Sequence, residues 1–442
     1  MAQLGFWANF KVGFVLGSSV FNLYIWLTKS PTDAKPQDVS CNFAQKLQTK
    51  NLKKKMKIIY TLTLIFASVF ANAQTNPLRL NPNIVLPKDS IESKNLVKSL
   101  DNFLLASKKP NEENKFVFEN EKIETFIQLD EVSGLEKSGK FKDEFFYKPY
   151  LTNIVLLKEG NYLIQVSYIG TSENNAMLRA SFEFIAHKIG NSFTFSSPLL
   201  RNTKNWKLEK IGNNIFHYQN TINKKKINEF NKLSSSFDLK LKSTNKITDY
   251  YCTDNIIEMQ KLIGVDYKSD YNGRTESVWS SSFGDKKLIV YGNNNSTFNN
   301  FDPHDLFHDR LSLIIPRNKV NKPVDEGCAY IYGGSWGFTW EEIFKEFKEQ
   351  IASNKNTNWA EIKENPISLK TGNYPNPADY IVNALLVKKI EKEKGFSGVW
   401  ELLNVGPFEK GNEKYYQTLE KLTGITKENY NNKIWELISN EK

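Results

Sequence analysis

Beyond residue 90 the apolar positions change period along the chain. Ile91, Leu96, Val97, Leu100, Phe103 and Leu104 fall largely on one helix face, and Ser90 can cap that helix. Glu119 to Asp130 reads as a second helix. The period then shortens to two. Residues 152–170 alternate around a turn at Glu159-Gly160, residues 179–200 around Gly190-Asn191, and residues 206–218 around Gly212-Asn213. Runs rich in β-branched and aromatic residues, each broken by a glycine that can take positive φ, predict three hairpins. His187 and His217 fall on these strands and read as ordinary strand residues.

Helices followed by a curved antiparallel sheet predict an α+β domain over residues 74–245. Its element order resembles the cone-shaped nuclear-transport-factor-like fold. Residues 223–246 read as a helix and a Ser-rich linker, which sets an expected boundary near 245. Residues 247–300 read as strand, helix, Tyr-rich loop and strand, and the remainder to 442 is mostly helical.

Composition places the chain among folded proteins. Its 442 residues, 40% apolar and 24% charged, suffice for two or three cores. The net charge of +10 is unevenly spread. Nine Lys and two Asp before Gln74 give that segment +7, leaving +3 for the rest. No basic patch therefore points to nucleic acid. The segment KKKMKIIYTLTLIFASVFANAQ has a basic start, an apolar run from Ile58 to Phe70, and small residues at Ala71 and Ala73. That is the pattern of a signal peptide over 56–73, cleaved after Ala73. The run is short for a membrane span. Met56 is then the natural start, residues 1–55 are an upstream extension, and the mature chain is expected in the periplasm or secreted. A competing reading makes residues 5–27 a membrane helix, but Lys11 interrupts it. No Cys follows Ala73 closely enough to anchor a lipid. Cys41 falls in the extension. Cys252 and Cys328 fit a disulfide or two buried thiols equally.

The candidate chemistry lies in FDPHDLFHDR. Two of the four histidines, His304 and His308, stand four residues apart behind a helix start made by Asp302 and Pro303. Positions i and i+4 share a face, so both imidazoles can aim at one point. Zinc suits that pair, and a catalytic zinc site takes a third protein ligand and a water. Pro323 can open the next helix and Gly333-Gly334 can close it. Glu326 near its start is the candidate third ligand, and Gly327 lets another backbone or the metal site come close. The exposed-helix alternative leaves both histidines solvated.

His304-Asp305-Leu306-Phe307-His308 resembles the His-Glu-x-x-His helix of zinc metallopeptidases, and Glu326-Gly327 resembles the third-ligand helix of the gluzincins. The elements of residues 247–292 and the helices at 337–351 and 378–406 are similar to those of peptidase-MA-like bacterial proteins. The resemblance implies a zincin-like domain over 246–442, Zn2+ held by His304, His308 and Glu326, and peptide or protein substrates. It also implies that the acid after the first histidine takes a proton from water. Here that acid is Asp305, one methylene shorter than the family's Glu. Asp305 is either a base with reduced reach or a helix-start acid facing the dipole. An inactive relative that binds or scaffolds in the cell envelope is the alternative function. Tyr330, Tyr332 and Tyr291 are candidate oxyanion donors. Thr339 to Glu342 reads as a capping box, YGGSWG as a tight turn walling the cleft, and Cys328 as a small buried residue.

Overall fold

The computed structural model describes residues 13–16, 19–22 and 78–442, apart from Glu159, Asn245, Lys355 and Lys442. The expected signal peptide, its cleavage site, Met56 and Cys41 lie outside the described residues. Residues 1–74 and 75–442 form two units. In the first, β1 (Gly13–Leu16) pairs antiparallel with β2 (Ser19–Asn22). These described residues fall inside the competing membrane-helix segment and are strand. Among the described residues no helix is long and apolar enough to cross a membrane.

The second unit is α+β, as its alternating periods imply. After β3 (Arg79–Leu80), α1 (Ser90–Ala106) is capped by Asp89, one residue before the expected Ser90. Its carboxylate accepts from the Ile91 and Glu92 amides at 2.7 and 3.0 Å. α2 (Lys122–Val132) follows a 3-10 turn at Glu119–Glu121. All three expected hairpins form: β4 (Lys148–Leu156) with β5 (Tyr162–Ser172), β6 (Asn175–Ile189) with β7 (Ser192–Ser196), and β8 (Lys207–Ile211) with β9 (Asn214–Tyr218). A further hairpin joins β5 to β6 through Glu173 and Asn174, both at positive φ. Neither is glycine, which hid this turn from the sequence pattern.

The chain then passes through α3 (Leu199–Asn202), α4 (Lys224–Leu241), β10 (Ile247–Thr253), α5 (Ile256–Leu262), β11 (Val265–Lys268), β12 (Ser277–Phe283) and β13 (Lys286–Gly292). The expected Tyr-rich loop thus contains two strands. One open sheet runs β11-β6-β5-β4-β3, with β7 beside β6. The other runs β12-β13-β10-β9-β8, with β10 parallel to both neighbours. Around residue 245, where the sequence sets a boundary, this second sheet continues: β8 and β9 precede it and β10 follows. β11 meanwhile returns to the first sheet, placing Val265 opposite Phe182. A hairpin's own alternation fixes which face is apolar, not which sheet edge it joins, so sequence could not assign β8 and β9.

The centre of the second sheet is buried on both faces. Phe216, Tyr250 and Ile289 pack with Phe230 and Phe237 of α4 in one core, while Tyr251, Leu288 and Val290 join the other core with Phe126 of α2. Cys252 and Cys328 are free and buried, so they are two thiols. Beyond the sheet come α6 (Pro303–Ser312), α7 (Lys322–Gly333), α8 (Trp340–Ile351), α9 (Trp359–Glu364), the hairpin β14 (Ser368–Thr371) and β15 (Tyr374–Pro377), then α10 (Ala378–Lys394) and α11 to α13 (Phe396–Leu403, Glu413–Thr423, Tyr430–Asn440). The Thr339–Glu342 capping box forms as expected at the start of α8.

Charged anchors fasten α6 to the sheet and to α4. Arg310, 1% exposed, donates to both carboxylate oxygens of Asp238 at 2.6 and 2.7 Å and to Thr248 at 2.9 Å. Lys287 of β13 reaches Asp309 at 3.0 Å and Ser312 at 2.5 Å. Removing Asp238 would leave a buried guanidinium without its counter-ion. The Asp238→Ala variant is therefore expected to lose about 3–5 kcal/mol of unfolding free energy. The paired Asp238→Leu, Arg310→Met variant should recover most of it. Urea unfolding of both measures this, and a loss within about 0.5 kcal/mol for the single variant would refute the anchor.

Candidate metal centre

The site begins with how α6 starts. The Asp302 carboxylate accepts the His304 amide at 2.9 Å, and Pro303 sits at the first helical position, where no amide hydrogen is needed. His304 and His308 then follow one turn apart. α7 runs back along α6, and two glycines permit it. A Cβ on Gly333 would lie 2.3 Å from the His304 amide nitrogen, so only glycine lets the end of α7 touch the start of α6. A Cβ on Gly327 would lie 2.7 Å from the Asn383 carbonyl carbon, so that glycine admits the backbone of α10 rather than the histidines.

Both rings are held through Nδ1. His304 Nδ1 is 2.7 Å from the Gly334 carbonyl oxygen, and His308 Nδ1 is 2.7 Å from Oδ1 of the buried Asp325. Both partners are acceptors, so each Nδ1 carries the hydrogen. Both Nε2 atoms then face inward, 3.1 Å apart. Glu326 Oε2 completes the triangle, 3.3 Å from His304 Nε2 and 3.5 Å from His308 Nε2. The structure brings together the three residues expected from the sequence, and among the described residues this is the group of three whose ligand atoms could hold a metal ion.

Arg317 was not anticipated. It lies in a 3-10 turn between α6 and α7. Its Nε donates to Asp325 Oδ2 at 2.9 Å and its Nη2 to Glu326 Oε1 at 3.0 Å. One oxygen of Glu326 is thus engaged by the guanidinium and the other is turned to the imidazoles. Nη2 also lies 3.4 Å from His308 Nε2. An isolated Arg in a Pro-flanked connection has no periodic signature, and only the fold brings it to the carboxylates.

Asp305, His308 and Arg317 line a cavity of about 390 Å³ whose far wall includes Val278 and Ser280 of β12, the edge strand of its sheet. Burial, then the neighbouring Asp302, raises the Asp305 pKa above the usual aspartate range. Tyr291 lines the same cavity. The Tyr330 hydroxyl donates instead to Asn376 and the Tyr332 hydroxyl to Glu391, at 2.9 and 2.7 Å, so neither is free for an oxyanion. Cys328 is buried in the core, away from this chemistry. His187 bonds Ser196 and stacks on Phe118, and burial pushes its pKa down to about 4; His217 bonds Asp249 and stacks on Tyr251.

The two key ionisations oppose ordinary burial effects. Burial by itself would lower the His308 pKa, but the hydrogen bonds to Asp325 and Glu326 outweigh it and lift the group to about 9. Burial would raise Glu326, but both imidazoles hold its carboxyl well below the usual range. Compared with protein-family models, curated proteins and solved structures, the chain matches none.

His308 makes the stability of the fold depend on pH. Its folded pKa lies above its ordinary value of 6.5, so protonation stabilises the metal-free fold fully below pH 6.5, and this contribution is lost as pH rises through about 9. NMR titration of metal-free protein should find His308 changing charge near pH 9, and Asp325→Asn should bring it back toward 6.5. A wild-type midpoint at or below 6.5 would contradict the hydrogen-bond assignment.

Proposed function

We propose that the chain is an exported zinc-dependent peptidase-like protein that hydrolyses peptide bonds, its ion held by His304, His308 and Glu326. One observation carries the reading: three lone-pair atoms converge with sides of 3.1, 3.3 and 3.5 Å. A tetrahedral zinc with bonds of about 2.0–2.1 Å holds its ligand atoms about 3.3–3.4 Å apart. Two imidazoles and a carboxylate are also the donor set that a catalytic zinc accepts, leaving a fourth position open. The Asp325 and Gly334 contacts are those expected to fix ligand tautomer and ring orientation. The gluzincin resemblance of the two helices and the signal-peptide pattern support the same reading, the latter for export.

Bound there, zinc supplies a Lewis acid that polarises a carbonyl and lowers the pKa of water. The chain's own residues do the rest. Gly334 and Asp325 keep the two Nε2 lone pairs inward. Arg317 keeps Glu326 presenting one oxygen and leaves a cationic donor at the cavity wall, suited to a substrate oxygen that gains charge. Asp305 faces the same cavity, and its raised pKa makes it a stronger base than an ordinary aspartate. Across the cavity β12 has an unpaired edge, and a peptide can pair its backbone there. A second reading, binding without hydrolysis, is favoured by the short side chain of Asp305, which holds its carboxylate farther from the water a base would deprotonate.

Purified protein should take up one zinc, with binding lost in His304→Ala and Glu326→Ala and a higher melting temperature when loaded. Below pH 9 each zinc must displace the His308 proton, so affinity should rise about tenfold per pH unit up to that point. Competition with a fluorescent chelator measures both, and a chain that binds no zinc at any pH refutes the site. Catalysis is read separately. Cleavage of a peptide library should fall at least about 100-fold in Asp305→Asn. Cleavage that appears only in Asp305→Glu would establish the second reading instead.

A further inference from the structure

After α7 the chain makes a two-residue hairpin whose sequence does not suit it. Phe338 N donates to the Ser335 carbonyl at 2.9 Å, and Ser335 N to the Phe338 carbonyl at 3.0 Å. The central residues are Trp336 at φ +54° and Gly337 at φ +82°. Positive φ at both central positions defines a type I′ turn, which asks for Asn-Gly, Asp-Gly or Gly-Gly. A bulky side chain in the first position is strained, and such strain persists only where something else maintains it. Burial is not the reason, because Trp336 is 55% exposed.

Trp336 stacks on Tyr374 of the β14–β15 hairpin, with ring centres 5.0 Å apart and planes at 11°. Tyr374 is itself 45% exposed, and Phe338 stands 6.5 Å from it. This surface is tied to the candidate metal centre twice. Gly334, two residues before Trp336, supplies the carbonyl that holds His304. Asn376 of β15 accepts the hydroxyl of Tyr330, whose ring lies 5.5 Å from that of His304. Gly334 and Phe338 also line a cavity of about 730 Å³ that shares Phe301 and Asp302 with the cavity of Asp305 and His308.

We propose that Trp336 and Tyr374 form a binding platform for an apolar side chain of the peptide that lies across the metal centre, and that the strained turn is kept to present it. The choice of ligand rests on the peptidase reading; the platform itself does not. A planar aromatic pair with open edges suits an aromatic or branched aliphatic group, and among the described residues no charged side chain stacks with the pair to select a charged one.

The full chain is labelled with 5-fluorotryptophan, stripped of metal, and titrated with N-acetyl-Gly-Phe-Gly-amide. The Trp336 fluorine signal, identified by its loss in Trp336→Asn, should shift saturably, and N-acetyl-Gly-Gly-Gly-amide should leave it unmoved. Affinity for the Phe peptide, measured by calorimetry, should fall about three- to tenfold in Trp336→Asn and in Tyr374→Leu. Asn suits the turn, so Trp336→Asn should melt at or above the wild-type temperature. A fluorine signal unmoved by the Phe peptide, or moved only by maltotriose, overturns the proposal. So does a Trp336→Asn variant that melts several degrees lower, since the ring would then be packing. Metal-free protein is used so that the outcome is independent of whether zinc binds.

Discussion

Three acceptor atoms cannot rest 3.1 to 3.5 Å apart in a mostly buried pocket unless protons or a cation lie among them. Both Nδ1 hydrogens are committed outward, to Gly334 and Asp325, so the inward atoms cannot relieve one another by exchanging tautomers. The rest of the site answers that demand. His308 keeps a proton to about pH 9, and Arg317 bridges the two carboxylates. Any account of this region must say what positive charge sits in the triangle.

Holding the triangle together takes more than its own contacts. α6 is fixed to α4 and β10 by Arg310 and to β13 by Lys287, so its rotation about its axis is set by contacts that do not involve His304 or His308. α7 is fixed from both sides, by Gly333 against the His304 backbone and Gly327 against α10. A methyl group at either glycine would displace α7, and Glu326 and Asp325 with it, relative to the imidazoles. Specificity of position here comes from backbone-to-backbone approach and buried ion pairs, with the liganding side chains as consequence.

Local features were readable because they rest on local physics. Asp302-Pro303 starts α6, the His spacing sets one face, Pro323 and the paired glycines bound α7, and the turn glycines mark the three hairpins. What sequence missed depends on distant partners. β8 and β9 alternate like the other hairpins, yet their edge pairs with β10 across the expected boundary. β11 is a four-residue strand that finds its partner over eighty residues away. Arg317 and Asp325 carry no spacing signal, and nothing local shows that the Tyr330 and Tyr332 hydroxyls are taken by Asn376 and Glu391.

The same charges decide how the fold and a metal would be coupled. Without an ion, protonated His308 and Arg317 balance Asp325 and Glu326, two positive charges against two negative. A divalent cation would enter as the His308 proton leaves, so the pocket would gain a single positive charge rather than two. The two large cores on either side of the second sheet involve none of the ligands except through α6 and α7. Small zinc domains fold around their ion because nothing else holds the ligands together. Here the three residues are assembled by helix packing and neutralised by a proton and a guanidinium, so metal uptake would be an exchange within a folded protein. The extra stability from an ion is then the mass-action term alone, set by its affinity and concentration. Its pH dependence would oppose that of the metal-free fold: a rise toward pH 9 would strengthen metal binding while it removes the stabilising proton from His308.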